Sequence, residues 1–433
     1  MLVKNRLNSF YDCIIVGTGP AGLILAYSLS QSGKSILMVD AGKDRKKDIC
    51  PLEKEVGNLY ENPLKGWESV SFEKGCKYAP KCGACPTIAG FGGCLAPYVS
   101  AKLCFPPSGQ RLLSILGEEN VYLSAKKAWN IYCHFAEVNL PYPECDENND
   151  EKQRIKELSE LAGFQVFEHP AHVAGEDEMN RFSKNIKNYL LNNVDVVLDC
   201  KIDLLSDLNW RDSILNVCGN LVSFDKVVLA TGRYGHKEMT GFLKSIDMLS
   251  EEADYAFGER MIMPKKYLWP IGKHYPDFKL KWENEHFKLR TFCFNGDING
   301  GRLKYMNYGG YTNVDGIVAK DYPGDSFFGE GYGNFALLAK CKSDMPAEMV
   351  YRQFHEVMYN LIAGINGVED YEIAAETMHS AVEVEDVWGK MKTDNGFWVK
   401  HNVAVIGDAS GIAMGIVSSM IMGVYIAEEM KEA

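Results

Sequence analysis

The sequence has no excess of positive charge. Its 433 residues carry 46 Lys and Arg against 58 Asp and Glu, which gives a formal net charge of -12. Because an acidic protein repels polyanions, this balance argues against nucleic acid or an anionic membrane as a partner. Internal repeats, low-complexity tracts and an obvious flexible linker are also missing. We therefore expect a globular chain, long enough for two domains or one elaborated domain.

A signal-peptide pattern before the first apolar run is lacking too. The most apolar late segment, 403–430, is interrupted by Gly407 and Asp408. We interpret it as a buried strand followed by a buried helix and not as a membrane span. The 13 cysteines are an odd number, spread from Cys13 to Cys341. These features predict a cytoplasmic protein with reduced thiols and no disulfide framework.

Near its start the sequence contains a pattern typical of dinucleotide binding. The apolar run DCIIV at 12–16 predicts a buried strand, GTGPAG follows at 17–22, and a helical run ends at Gly33. A second apolar run, SILMVD, ends at Asp40. The loop and the helix N-terminus would face a pyrophosphate, and the acid would accept hydrogen bonds from a ribose. The predicted contacts are Gly17, Gly19, Pro20, Ala21, Gly22, Asp40 and Ala41.

Two later segments resemble the second and third fingerprints of FAD proteins of the glutathione-reductase-like superfamily. They are FDKVVLATGRYGH and the segment that begins NVAVIGDASGIAMG. The resemblance implies FAD as the cofactor, with Asp408 near its ribityl or pyrophosphate region and the following helix N-terminus at its pyrimidine end. The residues that it implies are Ala230, Thr231, Gly232, Gly407, Asp408, Gly411 and Ile412. A second GxGxxG unit is missing, so NAD(P)H would be a transient electron donor, if the electrons do not come from the substrate or a protein.

The stretch KCGACPTIAGFGGCLAPY at 81–98 admits several interpretations. Its cysteines could join others in a metal site made of Cys50, Cys76, Cys82 and Cys85. Alternatively, Cys82 and Cys85, or Cys94, could exchange electrons with a flavin, or all of them could be structural thiols.

The glycines of the same stretch suggest a second role for it. Gly90, Gly92 and Gly93 permit positive φ and remove side chains, which lets the main chain pass close to a flat ring. A plain turn is the simpler alternative. We expect Gly92, Gly93 and Cys94 to contact the flavin.

The order of the motifs resembles the largely uncharacterised bacterial FAD-dependent dehydrogenases. The matching segments are CGACPTIAGFGGCLAPYVSAKL, HPAHVAGEDEM, the Arg-Thr-Phe-Cys of 290–293 and the terminal Gly-Asp. The sequence departs from that family where it has GGCL, SAKL and FNGDINGG. The resemblance suggests His172, Lys102, Arg290 and Cys293 for proton handling, since hydride transfer usually needs a base. Arg290 could instead hold a substrate carboxylate.

These observations predict an α/β fold: a Rossmann-type, glutathione-reductase-like FAD-binding domain with an inserted, mainly antiparallel β substrate domain. The expected parts are residues 1–235, which include a Cys/Gly-rich loop at 76–104, then 236–393, and then 394–433. The expected function is an FAD-dependent oxidoreductase that transfers a hydride between a small organic substrate and flavin. Alternatives are a monooxygenase, an electron carrier or partner subunit with a Cys-bound metal centre, and a flavin enzyme without net redox change.

Overall fold

The computed structural model describes most of the chain, in separate ranges. They are residues 7–44, 51, 70–71, 75–76, 78–95, 100–145, 149–251, 254–296, 300–308, 311–318, 331–342, 346–379, 383–387 and 389–432.

Helices alternate with strands in the first half, and strands dominate the second half. The helices are α1 (Pro20–Ser30), α2 (Ala79–Cys82), α3 (Gln110–Leu116), α4 (Glu118–Ala136), α5 (Asp150–Leu161), α6 (Glu176–Asn193), α7 (His236–Ser245), α8 (Lys265–Gly272), α9 (Ala347–Asn366), α10 (Asp370–Glu376) and α11 (Ile416–Glu432). The first strands are β1 (Phe10–Val16), β2 (Ile36–Val39), β3 (Val70–Ser71), β4 (Gly75–Cys76), β5 (Ala101–Cys104), β6 (Gln165–Phe167), β7 (Ala171–Ala174), β8 (Asp195–Val197), β9 (Leu208–Asn209), β10 (Ile214–Val217) and β11 (Asn220–Leu229). The others are β12 (Leu249–Glu251), β13 (Asp254–Pro264), β14 (Lys279–Glu283), β15 (Phe287–Asn295), β16 (Gly301–Tyr308), β17 (Tyr311–Val318), β18 (Tyr332–Cys341), β19 (Met378–His379), β20 (Glu383–Val387), β21 (Lys390–Met391), β22 (Trp398–Lys400) and β23 (Val403–Val405).

The first sheet has the order β22-β23-β11-β1-β2-β8, with β10 and β9 beside β11. Its central strands β23, β11, β1, β2 and β8 run parallel, while β22, β10 and β9 pair antiparallel. Because parallel strands are covered on both faces, β1 and β2 are almost continuously apolar and buried. Strand β23, near the end of the chain, pairs with β11 in this sheet and lies between β11 and β22.

Helices α1, α4, α6 and α11 pack against one another beside the first sheet. Helices α1 and α11 come especially close, because a Cβ at Gly423 would lie 2.6 Å from the carbonyl oxygen of Ala21. The late apolar segment is therefore a buried strand and a buried helix. Within the described ranges, no helix is both long enough and apolar enough to span a membrane.

The second sheet is antiparallel throughout, in the order β19-β13-β18-β15-β14-β6 with β20 on β13. Helix α9 covers one face and buries Val350, Phe354 and Met358 in a second core. The fold is thus mixed α/β, with one largely parallel and one antiparallel sheet. Hairpin β16–β17 and the short pair β5–β7 lie outside both sheets.

The two packed cores do not divide at residue 236. Helix α7, which begins there, packs Met239 and Phe242 into the first core, whereas Ile155 and Phe164 lie in the second core. Strand β6 precedes residue 236 in the sequence but forms an edge of the antiparallel sheet. The expected domain limits stay a prediction. These segments, however, pack in the core of the domain to which the prediction does not assign them.

One cysteine pair differs from the expectation of reduced thiols. Cys200 and Cys218 form a disulfide. Cys200 follows β8, and Cys218 lies at the turn between β10 and β11, so the sequence order gives no hint that the two residues meet. The other described cysteines, among them Cys82, Cys94 and Cys293, carry free thiols.

Candidate functional site

The glycine loop after β1 has the geometry that a close backbone approach requires. Gly17 has φ +110°, and a Cβ there would lie 2.1 Å from the carbonyl oxygen of Ala230, while a Cβ at Gly22 would lie 2.1 Å from the oxygen of Gly17. A Cβ at Gly19, by contrast, would meet no atom within 4 Å. Gly19 is the N-cap of α1 and has no side chain to occupy the first-turn N–H groups. This helix start can therefore receive an anion.

Asp40, at the end of β2, holds two loops together. Its Oδ2 accepts hydrogen bonds from the backbone N–H and the hydroxyl of Thr18, both at 2.8 Å. Its Oδ1 accepts from the N–H groups of Gly42 and Gly90, at 2.8 and 2.9 Å. A carboxylate offers about four acceptor positions, and protein donors fill them here. The hydrogen bond between Asp40 and a ribose stays a prediction.

The glycine cluster of the Cys/Gly stretch packs on the first loop. A Cβ at Gly90 would lie 2.1 Å from the oxygen of Lys43, and one at Gly93 would lie 2.8 Å from the Cα of Gly19. The N–H of Gly92 donates to the oxygen of Thr18 at 3.0 Å. The absence of side chains at Gly90 and Gly93 thus serves contact between two backbones.

The second and third motifs approach the same region from β11 and β23. The N–H of Ala230 donates to Val16 at 2.7 Å. Asp408 Oδ1 accepts from the N–H of Gly415 and the hydroxyl of Ser419, at 3.1 and 3.2 Å. Arg233 Nε donates to Asp408 Oδ2 at 3.1 Å. Asp408 therefore organises the turn that leads into α11.

A cavity of about 710 Å³ joins these motifs to the second sheet. Of the predicted residues, those that line it are Gly17, Gly19, Pro20, Ala21, Asp40, Ala41, Gly93, Cys94, Lys102, Ala230, Thr231, Gly232, Arg290, Cys293, Gly407, Asp408 and Ile412. The predicted residues Gly22, Gly92, Gly411 and His172 do not line it. Gly22 and Gly411 pack on backbone instead, since a Cβ at Gly411 would lie 2.5 Å from the oxygen of Gly389.

At the end of the cavity nearest the second sheet lies a buried ionic cluster. Lys102 Nζ is 2.6 Å from Asp277 Oδ1, and His169 Nε2 is 3.2 Å from Asp277 Oδ2. Lys102 also donates to the backbone oxygens of Pro276 and Phe294. Burial alone would raise the pKa of Asp277, but the charge of Lys102 and the contact with His169 hold it well below its ordinary value. The ionised carboxylate pairs with Lys102, while His169 Nε2 lies beside it and has no hydrogen bond of good geometry among the described residues.

Two thiols border this cluster. Cys104 Sγ lies 3.9 Å from Asp277 Oδ2, and Cys293 lines the same part of the cavity. Burial raises the pKa of Cys104, and it raises the pKa of Cys293 to about 11. Because the thiolate is the reactive form, neither thiol is set up as a nucleophile near neutral pH.

Three cationic side chains, Lys279, Lys281 and Arg290, line the cavity beside this cluster. Lys281 on β14 pairs with Arg290 on β15, so both side chains lie on one face of the sheet. The Arg290 guanidinium lies 4.2 Å from the centre of the Phe292 ring. Burial and the neighbouring charges of Lys279 and Arg290 lower the pKa of Lys281. An anion bound here would relieve this repulsion.

His172 lies on the other side of strand pair β5–β7. It pairs directly with Leu103, which is buried in the first core, whereas Lys102 points to the cavity. Successive side chains of a strand alternate between faces, so His172 cannot join Lys102. Its Nε2 lies instead 2.8 Å from Glu178 Oε1, near the Trp129 ring. The cavity histidine is His169, which the sequence analysis did not single out.

The proposed cysteine metal site is described only in part. Cys50 lies outside the described residues. Cys76 and Cys85 are near enough to Cys82 that, after burial, they contribute to raising its pKa. Among the described residues, however, these thiols do not form one of the groups whose ligand atoms lie within 4.8 Å of one another. The metal and dithiol hypotheses for this stretch stay predictions.

Comparison with known proteins gives distant structural likenesses. No protein-family model matches the chain, and no curated protein matches its sequence. PqsL from Pseudomonas aeruginosa, described as a probable FAD-dependent monooxygenase, shares 11% identity over 98% of this chain and 86% of its own, with a TM-score of 0.41. Glycine oxidase from Geobacillus kaustophilus shares 10% over 98% and 95%, with a TM-score of 0.41. A point mutant of halogenase PltM, in complex with FAD, shares 11% over 98% and 70%, with a TM-score of 0.43. At these values the likenesses assign neither a family nor a function to this chain.

Proposed function

We propose that this protein is an FAD-dependent oxidoreductase that acts on a small anionic organic substrate. The observation that carries the proposal is the cavity whose lining joins the glycine loop after β1 to the buried Lys102–Asp277–His169 cluster. Its volume lies in the range of ligand and cofactor sites, about 300–1,000 Å³. A nucleotide cofactor held by the glycine loop would share this cavity with the ionisable groups at its other end.

The residues of the cavity fit FAD. The open side of Gly19 and the start of α1 suit a pyrophosphate, and the start of α11 suits negative charge on a flavin ring. Thr231 Oγ1 is buried beside the cavity and has no hydrogen-bond partner among the described residues. Since buried hydroxyls are normally paired, this atom is available to a polar ligand. When bound, FAD supplies the two-electron chemistry that the side chains lack.

In this proposal, the second sheet supplies binding and proton handling. Lys279, Lys281 and Arg290 bind the carboxylate or phosphate of the substrate, with Arg290 held over Phe292. His169 lies beside Asp277, and its imidazole takes or returns the proton that accompanies hydride transfer. His169 replaces His172 as the proposed base. NAD(P)H as a transient donor and a monooxygenase reaction remain within the proposal, because both use the same cavity.

Anaerobic flavin reduction tests the proposal. Purified protein is loaded with FAD and mixed with a panel of carboxylates and phosphates, their neutral amide or ester analogues, NADH and NADPH. We expect flavin bleaching by an anionic compound and none by its neutral analogue. Failure to retain FAD would refute the cofactor, and equal bleaching by neutral analogues would refute the anionic substrate. Oxygen uptake coupled to a hydroxylated product would identify the monooxygenase form.

A further inference from the structure

Helix α9 carries a stripe of polar rings on the side that faces β13. Tyr351, His355 and Tyr359 are spaced four residues apart, so they share one face of the helix. The Tyr351 hydroxyl donates to the oxygen of Gly258 at 3.0 Å. The next residue of β13, Glu259, lies under His355.

Glu259 lies between two histidines that come from different elements. Its Oε1 is 2.5 Å from His355 Nε2 on α9 and 2.6 Å from His379 Nδ1 on β19. The three ligand atoms lie within 4.8 Å of one another. Two imidazoles and one carboxylate are the donor set that zinc and related divalent ions take at sites with three protein ligands.

The second nitrogen of His379 has a partner of its own. His379 Nε2 lies 2.8 Å from the hydroxyl oxygen of Tyr359. A metal-bound histidine almost always donates its other N–H to an oxygen, which fixes the ring and the tautomer. The Tyr359 hydroxyl occupies that position. The Glu259–His355–His379 group therefore has three ligand atoms and, in Tyr359, an outer contact that holds one ligand in place.

The group is reachable from solvent but separate from the cavity. Glu259 is 7% exposed, whereas His355 and His379 are 25% and 33% exposed, which leaves an entry path. The next residue, Arg260, points to the opposite face of the sheet, where its Nη1 donates to Asn334 at 3.1 Å. On that face a Cβ at Gly316, which lines the cavity, would collide with Arg260.

We propose that Glu259, His355 and His379 bind one divalent transition-metal ion, Zn²⁺ as the first choice, with water at the fourth position. Zinc bonds of about 2.0–2.2 Å in a tetrahedral site separate ligand atoms by about 3.3 Å. When a metal ion replaces the shared protons, the distances from Glu259 Oε1 to the two histidine nitrogens therefore increase by less than about 1 Å. The ion ties α9 to β13 and β19 and thereby stabilises the second sheet.

Metal analysis of the full chain tests the proposal without any assay of activity. The protein is stripped with EDTA, reloaded with ZnCl₂, desalted and measured for zinc per chain, and zinc affinity is measured by competition with a chelator. We expect one zinc ion in the wild type and a higher Tm with zinc than without. Glu259→Gln keeps the volume of the side chain but loses the anionic ligand, so it loses the bound zinc and the Tm response.

Two further variants separate a metal site from a hydrogen-bonded triad. Tyr359→Phe leaves the ligands in place and removes the outer contact, so zinc affinity falls about 10-fold to 100-fold. His401→Ala, an exposed histidine before β23, retains the wild-type stoichiometry. Wild-type protein with no more zinc than Glu259→Gln would overturn the proposal. So would unchanged zinc affinity in Tyr359→Phe.

Discussion

Asp40→Asn tests whether Asp40 acts as a clamp between the two glycine loops. The asparagine keeps the size of the side chain but replaces one acceptor oxygen by an amide group. Turned toward Gly42 and Gly90, the amide group loses both of those hydrogen bonds. Turned toward Thr18, it loses the bond from the backbone N–H, and the Thr18 hydroxyl, which also lies 3.1 Å from the oxygen of Gly90, has to change from donor to acceptor. A hydrogen bond to a charged group contributes about 1.5–3 kcal/mol, so the loop contact loses about 3 kcal/mol. That value corresponds to about a 100-fold increase in local opening.

Hydrogen exchange of the protein without FAD measures this opening directly. The N–H of Gly90, which donates to Asp40, and that of Gly92, which donates to Thr18, should exchange about 100-fold faster in the variant. FAD affinity should fall as well, because binding then has to order the loops. Asp225→Asn is the control, because Asp225 is exposed and its surface ion pair with Lys226, at 3.7 Å, contributes little to stability.

A different pattern would refute the clamp. If Asp40→Asn weakens FAD binding but leaves exchange at Gly90 and Gly92 as in the wild type, the carboxylate acts on the ligand and not on the loops. The ribose contact predicted from the sequence would then account for the weaker binding.

Three further predictions concern the end of the cavity nearest the second sheet. Because the pKa of Asp277 is lower in the folded chain, its carboxylate contributes stability that is present above about pH 4 and is lost as the pH falls further. Asp277→Asn should lower the free energy of unfolding at neutral pH by about 3–5 kcal/mol, since Lys102 stays buried without its partner. In urea unfolding at a series of pH values, the free energy of unfolding of this variant should also decrease less at acid pH than that of the wild type. Cys293→Ser should leave the rate of flavin reduction and its pH profile near neutrality unchanged, because the native thiol is protonated there; a large loss of rate would contradict this. Lys281→Met and Arg290→Gln should each raise KM for an anionic substrate about 10-fold to 100-fold with kcat retained, and equal effects on a neutral analogue would speak against an anion site.

The first motif could be predicted because its elements follow one another in the chain. Strand β1, the glycine loop and α1 lie within residues 10–30, and their local patterns determine their form. Gly17 and Gly22 are required by close backbone contacts, which Gly22 makes within this unit and Gly17 makes with Ala230, the residue after β11. The partners of Asp40 could not be predicted in the same way, because Gly90 is fifty positions away.

The ionic cluster could not be predicted because its members come from separate segments. Lys102, His169 and Asp277 meet only when β5 pairs with β7 and the antiparallel sheet forms beside them. Sequence patterns show that β5 alternates between faces, but they do not show its register with β7. That register decides that His172 opposes Leu103 and lies away from Lys102.

The cavity is built on two sheets, and this division suggests which changes act independently. Asp40 and Thr231 follow strands β2 and β11 of the first sheet, whereas Lys281 and Arg290 lie on strands of the antiparallel second sheet, and the two groups share no described contact. Distant sites without shared partners usually change free energies additively. Substitutions on the first sheet should therefore change FAD affinity, and substitutions on the second sheet should change the KM of the substrate. If the cavity works as one site with two such ends, the double variant Asp40→Asn and Lys281→Met should show the loss of FAD affinity of the first single variant and the rise in KM of the second. Expressed as free energies, the two changes should add.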